Sequence, residues 1–194
     1  RMKEPGEIAE KILDLIELRR KTRLNKRILI TAGPTIEKID PVRAITNFSS
    51  GKMGFALAEE SYKAGAHVSL ISGPVNLPDP QGVDVTRVST GVEMYSEVMN
   101  VCKRKKIDLF FSAAAVADWK ADFLSQKLKK DVKSLSDIKW RLNPDIVSNV
   151  TELPKHARPF TVGFAAETQE LGKIVKDLEQ KREKKNLDML IANK

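Results

Sequence analysis

The sequence predicts an α/β fold of three-layer, Rossmann-like architecture, with a mostly parallel sheet that carries helices on both faces. Apolar runs of strand length recur along the chain, and segments with helical periodicity lie between them. This alternation requires right-handed crossover connections, which place helices on both sides of a parallel sheet. Ligands in such folds bind at the carboxyl ends of the strands, so the loops that follow the strands are the expected functional positions.

Six apolar runs are the predicted strands of this sheet. The run at 27–33 is nearly continuous and ends in a glycine, which is typical of a strand buried on both faces. Similar runs recur at 67–73, 83–89, 107–116, 160–166 and 188–193. By contrast, apolar and polar residues alternate over 138–142, which favours a half-exposed edge or antiparallel strand.

Four segments with helical periodicity lie between these strands, and their ends carry capping signals. The expected helices span 50–66, 90–106, 144–153 and 168–186. We expect Ser50, Thr90 and Asn143 to be N-caps, with Pro144 at the first helical position of the third helix. Gly65 is the expected end of the first helix.

Length and composition predict one soluble globular domain behind a leading segment. The chain has 194 residues, of which 41% are hydrophobic and 31% charged, and no apolar run approaches the roughly 20 residues that cross a bilayer. An amphipathic stretch at 7–20 predicts a leading helix, so 1–26 is interpreted as helix and linker and 27–194 as the domain. The single cysteine, Cys102, excludes an internal disulfide and predicts a cytoplasmic protein.

The net charge of +8 predicts an acidic partner, either nucleic acid or small phosphorylated ligands. Aromatic residues make up 6% of the chain and are not interleaved with the basic ones, which argues against a nucleic-acid stacking surface. A basic binding module without catalysis is the alternative, and it would show salt-sensitive affinity for nucleic acid. The two histidines, His67 and His156, lack metal-ligand spacing.

The loop after the first strand is unusually long, and loops of such length are commonly functional. Its last part, "TNFSSGKMG" at 46–54, looks like a phosphate-binding loop. However, Thr46 replaces the first glycine of the Walker pattern, and Met53 replaces the required Ser or Thr after Lys52. The sequence therefore predicts a different use for these small polar residues at the start of a helix.

A nicotinamide-dependent reductase of the short-chain type is the main alternative enzyme, because it shares small residues at a strand end. That class needs a glycine-rich first turn and a Tyr-x-x-x-Lys pair. The glycine pattern is absent, and neither Tyr62 nor Tyr95 is followed by a lysine four residues later. The residues therefore argue against a reductase.

From about residue 27 to its end, the chain is similar to phosphopantothenoylcysteine synthetase, the ligase of coenzyme A biosynthesis. Seven motifs occur in the order of that family: "ITAGPT" (30–35), "DPVRAITNFSSGKMG" (40–54), "AAAVADW" (113–119), "KLKK" (127–130), "NPDI" (143–146), "VGFAAET" (162–168) and "KKNLD" (184–188). The leading residues resemble the end of the flavin-dependent decarboxylase to which this domain is fused in many bacteria and archaea. The resemblance implies that 1–26 come from that decarboxylase domain and that the synthetase domain is shortened at its C-terminus.

The resemblance also implies a reaction and its ligands. The family joins 4′-phosphopantothenate and L-cysteine through an acyl-cytidylate made from CTP, with release of pyrophosphate. It implies Mg²⁺ (or Mn²⁺) at the phosphates, a homodimer, no nucleic-acid or membrane partner, and flavin only in the preceding decarboxylase domain. The residues themselves leave CTP and ATP as alternatives.

The site residues implied by the resemblance fall into three sets. Asn47, Lys127 and Arg43 match catalytic positions, and Ser49, Ser50, Gly51 and Lys52 match a cradle for the substrate phosphate. The nucleotide-binding set is Ala114, Ala115, Asp118, Lys127, Asn143, Pro144, Asp145, Ile146, Phe164, Lys181 and Lys185, with Asp118 also as a metal ligand. Structural roles stay open for several: Lys127 as a solvated charge, the alanines as close packing, Asn143 as a helix cap and Phe164 as core.

Overall fold

The computed structural model describes residues 6–7, 25–128, 138–167 and 174–193. A six-stranded sheet with the order β10-β9-β6-β1-β4-β5 forms its centre. The strands are β1 (Arg27–Ala32), β4 (His67–Ser72), β5 (Asp84–Arg87), β6 (Leu109–Ser112), β9 (Phe160–Ala166) and β10 (Met189–Asn193). Every pairing in this sheet is parallel, which confirms the predicted fold class.

Helices cover both faces of the sheet. They are α1 (Lys52–Lys63), α2 (Gly91–Arg104), α3 (Ile146–Thr151) and α4 (Val175–Lys184). Of the predicted fourth helix, residues 168–173 lie outside the described residues, as do residues 8–24 of the predicted leading segment. No helix in the described ranges combines the length and apolarity that a membrane crossing requires.

The core is built on the two faces of β1. Ile28 and Ile30 pack with Leu57 of α1, whereas Leu29 packs with Val98 of α2. Alternate residues of a strand point to opposite faces, so a continuous apolar run can fill two layers of core at once. Each such fully buried side chain contributes about 1.5–3 kcal/mol. The three predicted layers are thereby confirmed.

The N-cap of the first helix lies one residue later than the sequence predicted. Its N-cap is Gly51, with φ of 74°, and no side chain caps it, so the prediction of Ser50 is wrong. A left-handed conformation is costly for serine and costs glycine little, which explains why the glycine takes the position. Gly65, with φ of 90°, directly follows the C-cap Ala64 and ends the helix as predicted.

The predicted N-cap of the second helix is confirmed, and the predicted N-cap of the third helix is wrong. Thr90 caps α2 in a reciprocal capping box with Glu93, as predicted. The cap of α3 is Asp145, whose side chain accepts from the Ser148 amide, so Asn143 is not the N-cap and Pro144 precedes it.

Two antiparallel hairpins flank the carboxyl edge of the sheet. Strand β8 (Trp140–Leu142) pairs with β7 (Trp119–Ala121), which confirms the antiparallel strand predicted at 138–142. A second hairpin of β2 (Ile36–Lys38) and β3 (Ala44–Thr46) lies inside the long loop after β1 and was not predicted. Strands of three residues are too short to show a reliable period.

Candidate functional site

A cleft of about 520 Å³ opens beyond the carboxyl ends of β6 and β9. Segments that are distant in sequence meet there, as the topology of a parallel sheet requires. The predicted nucleotide-binding residues in its lining are Ala114, Asp118, Asn143, Pro144, Asp145, Ile146, Phe164, Lys181 and Lys185. The predicted residues Ala115 and Lys127 do not line it.

The positive charges of the cleft are held by acidic neighbours. Lys185 Nζ lies 3.3 Å from Asp145 Oδ2, and Lys181 Nζ lies 3.7 Å from Glu167 Oε1. Burial acts to raise the pKa of Asp145, but hydrogen bonds from Ser148 and the Lys185 ammonium outweigh it and lower the pKa. The two lysines are thus held at one wall, where they can meet an anionic ligand.

The loop at 113–118, which lines the cleft, is fixed by the motif at 30–35. The Ala114 amide donates to Thr31 Oγ1 at 3.4 Å, and the Ala117 amide donates to Thr35 Oγ1 at 3.0 Å. The Ala115 amide donates to the Gly33 carbonyl at 2.8 Å, so Ala115 faces this motif rather than the cleft. Sequence reasoning did not single out Thr31 and Thr35, although both lie within the recognised motif.

Asn47 follows β3 and binds the other side of the same loop. Its Nδ2 donates to the carbonyl oxygens of Ala115 at 3.2 Å and Val116 at 3.1 Å. Because both neighbouring groups are carbonyl acceptors, the side-chain amide atom that faces them is the nitrogen. Both N–H groups are therefore committed to the loop, and Oδ1 is the atom left to accept from a ligand.

Asn143 ties the cleft to the start of α2. Its Nδ2 donates to the Ala117 carbonyl at 2.8 Å, while its Oδ1 is buried with no donor among the described residues. Glu37, only 3% exposed, accepts from the Gly91 amide at 2.7 Å beside it. A Cβ on Gly91 would lie 2.9 Å from Asn143 Nδ2, so a larger residue would require the Asn143 side chain to shift. Glu37 was another residue missed from sequence.

Arg43 and Lys127 lie outside the cleft. The loop that carries Arg43 contacts the segment that carries Lys127. Arg43 donates from its guanidinium to the Leu128 carbonyl at 3.0 Å and lies 3.6 Å from the buried Asp40 carboxylate. Lys127 is exposed. The structure therefore brings Arg43 to the lysine segment, and Asp40 is a further residue that the sequence did not single out.

The predicted phosphate cradle forms the start of α1. The Gly51 amide is 3.4 Å from Ser49 Oγ, and the Lys52 amide is 3.5 Å from Ser50 Oγ, both long distances. No side chain caps the helix, and its first turn carries no acidic residue. Amides and helix dipole at such a terminus favour an anion.

Two further features concern a metal site and the thiol. No group of three potential His, Cys, Asp or Glu ligands occurs within the described ranges, whereas Asp118 and Asp145 both line the cleft. A Mg²⁺ ion that takes most of its ligands from phosphates and water needs only one or two carboxylates, so this lining fits it. Burial raises the pKa of the Cys102 thiol to about 11, and the side chain packs against the core between the sheet and α2.

Residues 24–194 match the family described as the DNA/pantothenate metabolism flavoprotein C-terminal domain. The chain belongs to this family. The bifunctional coenzyme A biosynthesis protein CoaBC of Haemophilus influenzae is 47% identical over 194 residues, which are 100% of this chain and 46% of that protein. CoaBC of Vibrio cholerae is 49% identical over 178 residues, which are 89% of this chain and 42% of that protein. The chain thus spans less than half the length of these family members.

Solved structures of the family show the same fold. A crystal structure of the C-terminal domain of CoaBC aligns with a TM-score of 0.73 at 38% identity, over 87% of this chain and 76% of the other. The DNA/pantothenate metabolism flavoprotein of Streptococcus pneumoniae aligns with a TM-score of 0.73 at 22% identity, over 87% and 82%. The family match and the CoaBC relatives confirm the predicted family, and the solved structures show the same fold.

Proposed function

We propose that this domain is the synthetase part of a bifunctional coenzyme A biosynthesis protein and joins 4′-phosphopantothenate to L-cysteine, with CTP as the activating nucleotide. The observation that carries the proposal is the convergence of strand-end segments on one cleft, with Asn47 bonded to the loop that lines it. A carboxylate, a triphosphate and an amine react slowly in water, and holding them in one geometry removes much of that barrier.

In the first step, the carboxylate of 4′-phosphopantothenate attacks the α-phosphorus of CTP. A C–O–P mixed anhydride forms, and the bond from the α-phosphorus to the departing pyrophosphate breaks. Negative charge accumulates on the triphosphate, so lysine ammonium groups stabilise this step most. Lys181 and Lys185, which line the cleft, would serve this step, and Lys127 would reach the triphosphate from the exposed segment outside the cleft.

In the second step, the cysteine amine attacks the acyl carbon, the bond to the cytidylate breaks, and CMP and a proton leave. Asn47 serves this step: its Nδ2 is committed to the loop carbonyls, so Oδ1 accepts from the incoming amine. An aspartate at this position would set a carboxylate against two carbonyl oxygens. The amide is therefore the residue type that fits.

Two anion sites and one metal site complete the proposal. The helix start at Ser49, Ser50, Gly51 and Lys52 takes the phosphate of 4′-phosphopantothenate, and the cleft takes the cytidine nucleotide through its strand-end loops. Asp118, which lines the cleft as Asp145 does, would hold Mg²⁺ or Mn²⁺, which would neutralise phosphate charge. Flavin belongs to the preceding decarboxylase domain of the bifunctional protein.

We also propose a homodimer. Apolar side chains of the β7–β8 hairpin and its continuation are exposed: Phe123 by 57%, and Trp119 by 52% and Leu142 by 65% where the hairpin borders the cleft. Such a group of exposed apolar residues is typical of an interface. Sedimentation equilibrium of the full-length protein is expected to give a dimer, and a monomer at micromolar concentration would contradict this.

The central test is pyrophosphate release by the full-length protein with cysteine, 4′-phosphopantothenate and Mg²⁺. We expect release with CTP, and thermal shifts with CTP, ATP, GTP and UTP then rank the bases. No release with any of the four nucleotides would overturn the proposal.

The Asn47→Asp variant separates the two steps. We expect it to form the acyl-cytidylate and accumulate it, because a carboxylate is repelled by the Ala115 and Val116 carbonyls and leaves the position from which Oδ1 accepts from the amine. Rapid quench with ³²P-labelled CTP measures the intermediate. If the first half-reaction is abolished instead, Asn47 does not have the proposed role.

A further inference from the structure

Asp40 is a buried carboxylate that binds two distant parts of the chain. It is 1% exposed, and its Oδ1 accepts from the amides of Val42 and Arg43, both at 2.8 Å. Its Oδ2 accepts from the Leu128 amide at 3.1 Å, across 88 positions of sequence. The first two bonds form a local turn, whereas the third is not needed for any turn.

Both the backbone amide and the backbone carbonyl of Leu128 bind residues of the same turn. While its amide donates to Asp40, its carbonyl accepts from the Arg43 guanidinium at 3.0 Å. Four residues earlier, the Leu124 amide donates to the Ile39 carbonyl at 2.9 Å. The segment 124–128, which includes Lys127, therefore lies along the turn at 39–43.

Burial of a charge is unfavourable unless several donors satisfy it. Burial acts to raise the pKa of Asp40, but the three amides and Arg43 lower it below the usual range, so the group is a carboxylate at neutral pH. An ionised carboxyl group accepts through both oxygens, which a neutral side-chain amide cannot do. The residue type is thus matched to joining two backbone segments.

We propose that Asp40 is a positioning residue that holds the Lys127 segment against the loop that carries Asn47. Asp40 lies at the turn of the β2–β3 hairpin, and Asn47 directly follows β3. The bond to Leu128 then fixes the residue next to Lys127 relative to that hairpin. This inference rests on the proposed function for the role of Lys127, and on the contacts alone for the positioning.

The primary experiment compares Asp40→Asn with Asp188→Asn in the full-length protein. Asp188 is the control, because its carboxylate also accepts from an amide and a guanidinium across the chain, those of Thr161 and Arg158. Hydrogen exchange is followed on the peptide that contains 124–128. We expect faster exchange there in Asp40→Asn only, because an amide nitrogen or a single oxygen cannot serve all three donors. Unchanged exchange would overturn the positioning role, whether or not the protein is a ligase.

Kinetics then test whether Asp40 acts through Lys127. Misplacement of a reacting group by about 1 Å can cost about 10²-fold in rate, and we expect a loss of this size in kcat for pyrophosphate release. In a Lys127→Ala background, Asp40→Asn is expected to cause no further loss in kcat. If the kcat losses of the two single variants multiply in the double variant, Asp40 has a merely structural role, and that result would overturn the proposal.

A second variant covers the case in which Asp40→Asn fails to fold. Leu128→Pro removes the donor amide and leaves the buried carboxylate and its local turn intact. It is expected to lower kcat by a similar factor, with a small change in the midpoint of urea unfolding. Full activity in Leu128→Pro would contradict the proposal.

Discussion

The two sides of the candidate site are built by different means. On the cleft side, Ala114 and Ala117 belong to a loop that the buried threonines of 30–35 fix through its backbone. On the hairpin side, Asp40 and Arg43 hold an exposed segment through their side chains. The first side shares the stability of the sheet, whereas the second depends on a few contacts between short elements. The contacts of each side can therefore be perturbed separately.

The largest expected effect is on the hairpin side. If Lys127 offsets charge during pyrophosphate departure, Lys127→Ala lowers kcat by about 10²–10³-fold, with little loss of stability because the side chain is exposed. Steady-state release of pyrophosphate measures this. Lys63→Ala is the control, since Lys63 pairs with Glu59 and Glu60 at the far end of α1. Equal losses in both variants would rule out a specific role for Lys127.

The next effect tests the cleft side. Thr35→Val removes the acceptor of the buried Ala117 amide and is expected to destabilise folding by about 1–3 kcal/mol in urea unfolding. It should also weaken CTP binding, measured by titration calorimetry. Thr161→Val is the matched control: Thr161 is equally buried but donates to the Pro159 carbonyl, away from the cleft. If Thr161→Val weakens CTP binding as much, the loop is not fixed by Thr35.

A smaller effect concerns the attachment of the hairpin to α2. Thr90→Ala removes the capping box next to Gly91, whose amide binds Glu37 of β2. The loss of a cap costs about 1 kcal/mol, and we expect that change in the free energy of unfolding. Thr90→Ser keeps the hydroxyl and should recover most of it, so an equal loss in both variants would contradict the capping role.

The smallest effect is a pH dependence. The pKa of Asp40 is lower in the folded protein than in the unfolded chain, so its contribution to stability is present above about pH 4. That contribution is lost as the pH falls through the lowered folded value. The free energy of unfolding, measured with urea between about pH 5 and pH 2.5, should therefore fall more steeply for the wild type than for Asp40→Asn. Parallel curves would show that Asp40 does not bind its donors as an anion.

The sheet could be predicted from sequence because its strands are continuous apolar runs, as at 27–33 and 160–166. The cleft was predicted in part, because the recognised motifs follow these strands directly. What could not be predicted are contacts between short elements. The β2–β3 hairpin has three-residue strands, and the bond from Leu128 to Asp40 spans 88 positions, so no local period or spacing reports either of them. The cap of α3 was assigned to Asn143 because Pro144 was expected at the first helical position. In the structure the Asn143 side chain donates to the Ala117 carbonyl, and Asp145 caps the helix.

The thiol of Cys102 has a consequence for an enzyme that would work in the presence of free cysteine. Disulfide exchange proceeds through the thiolate, and a pKa of about 11 leaves about one part in 10⁴ of this group ionised at pH 7. The half-buried Cys102 would then exchange slowly with oxidised cysteine. Under the proposed function, this thiol would form few mixed disulfides with the cysteine substrate.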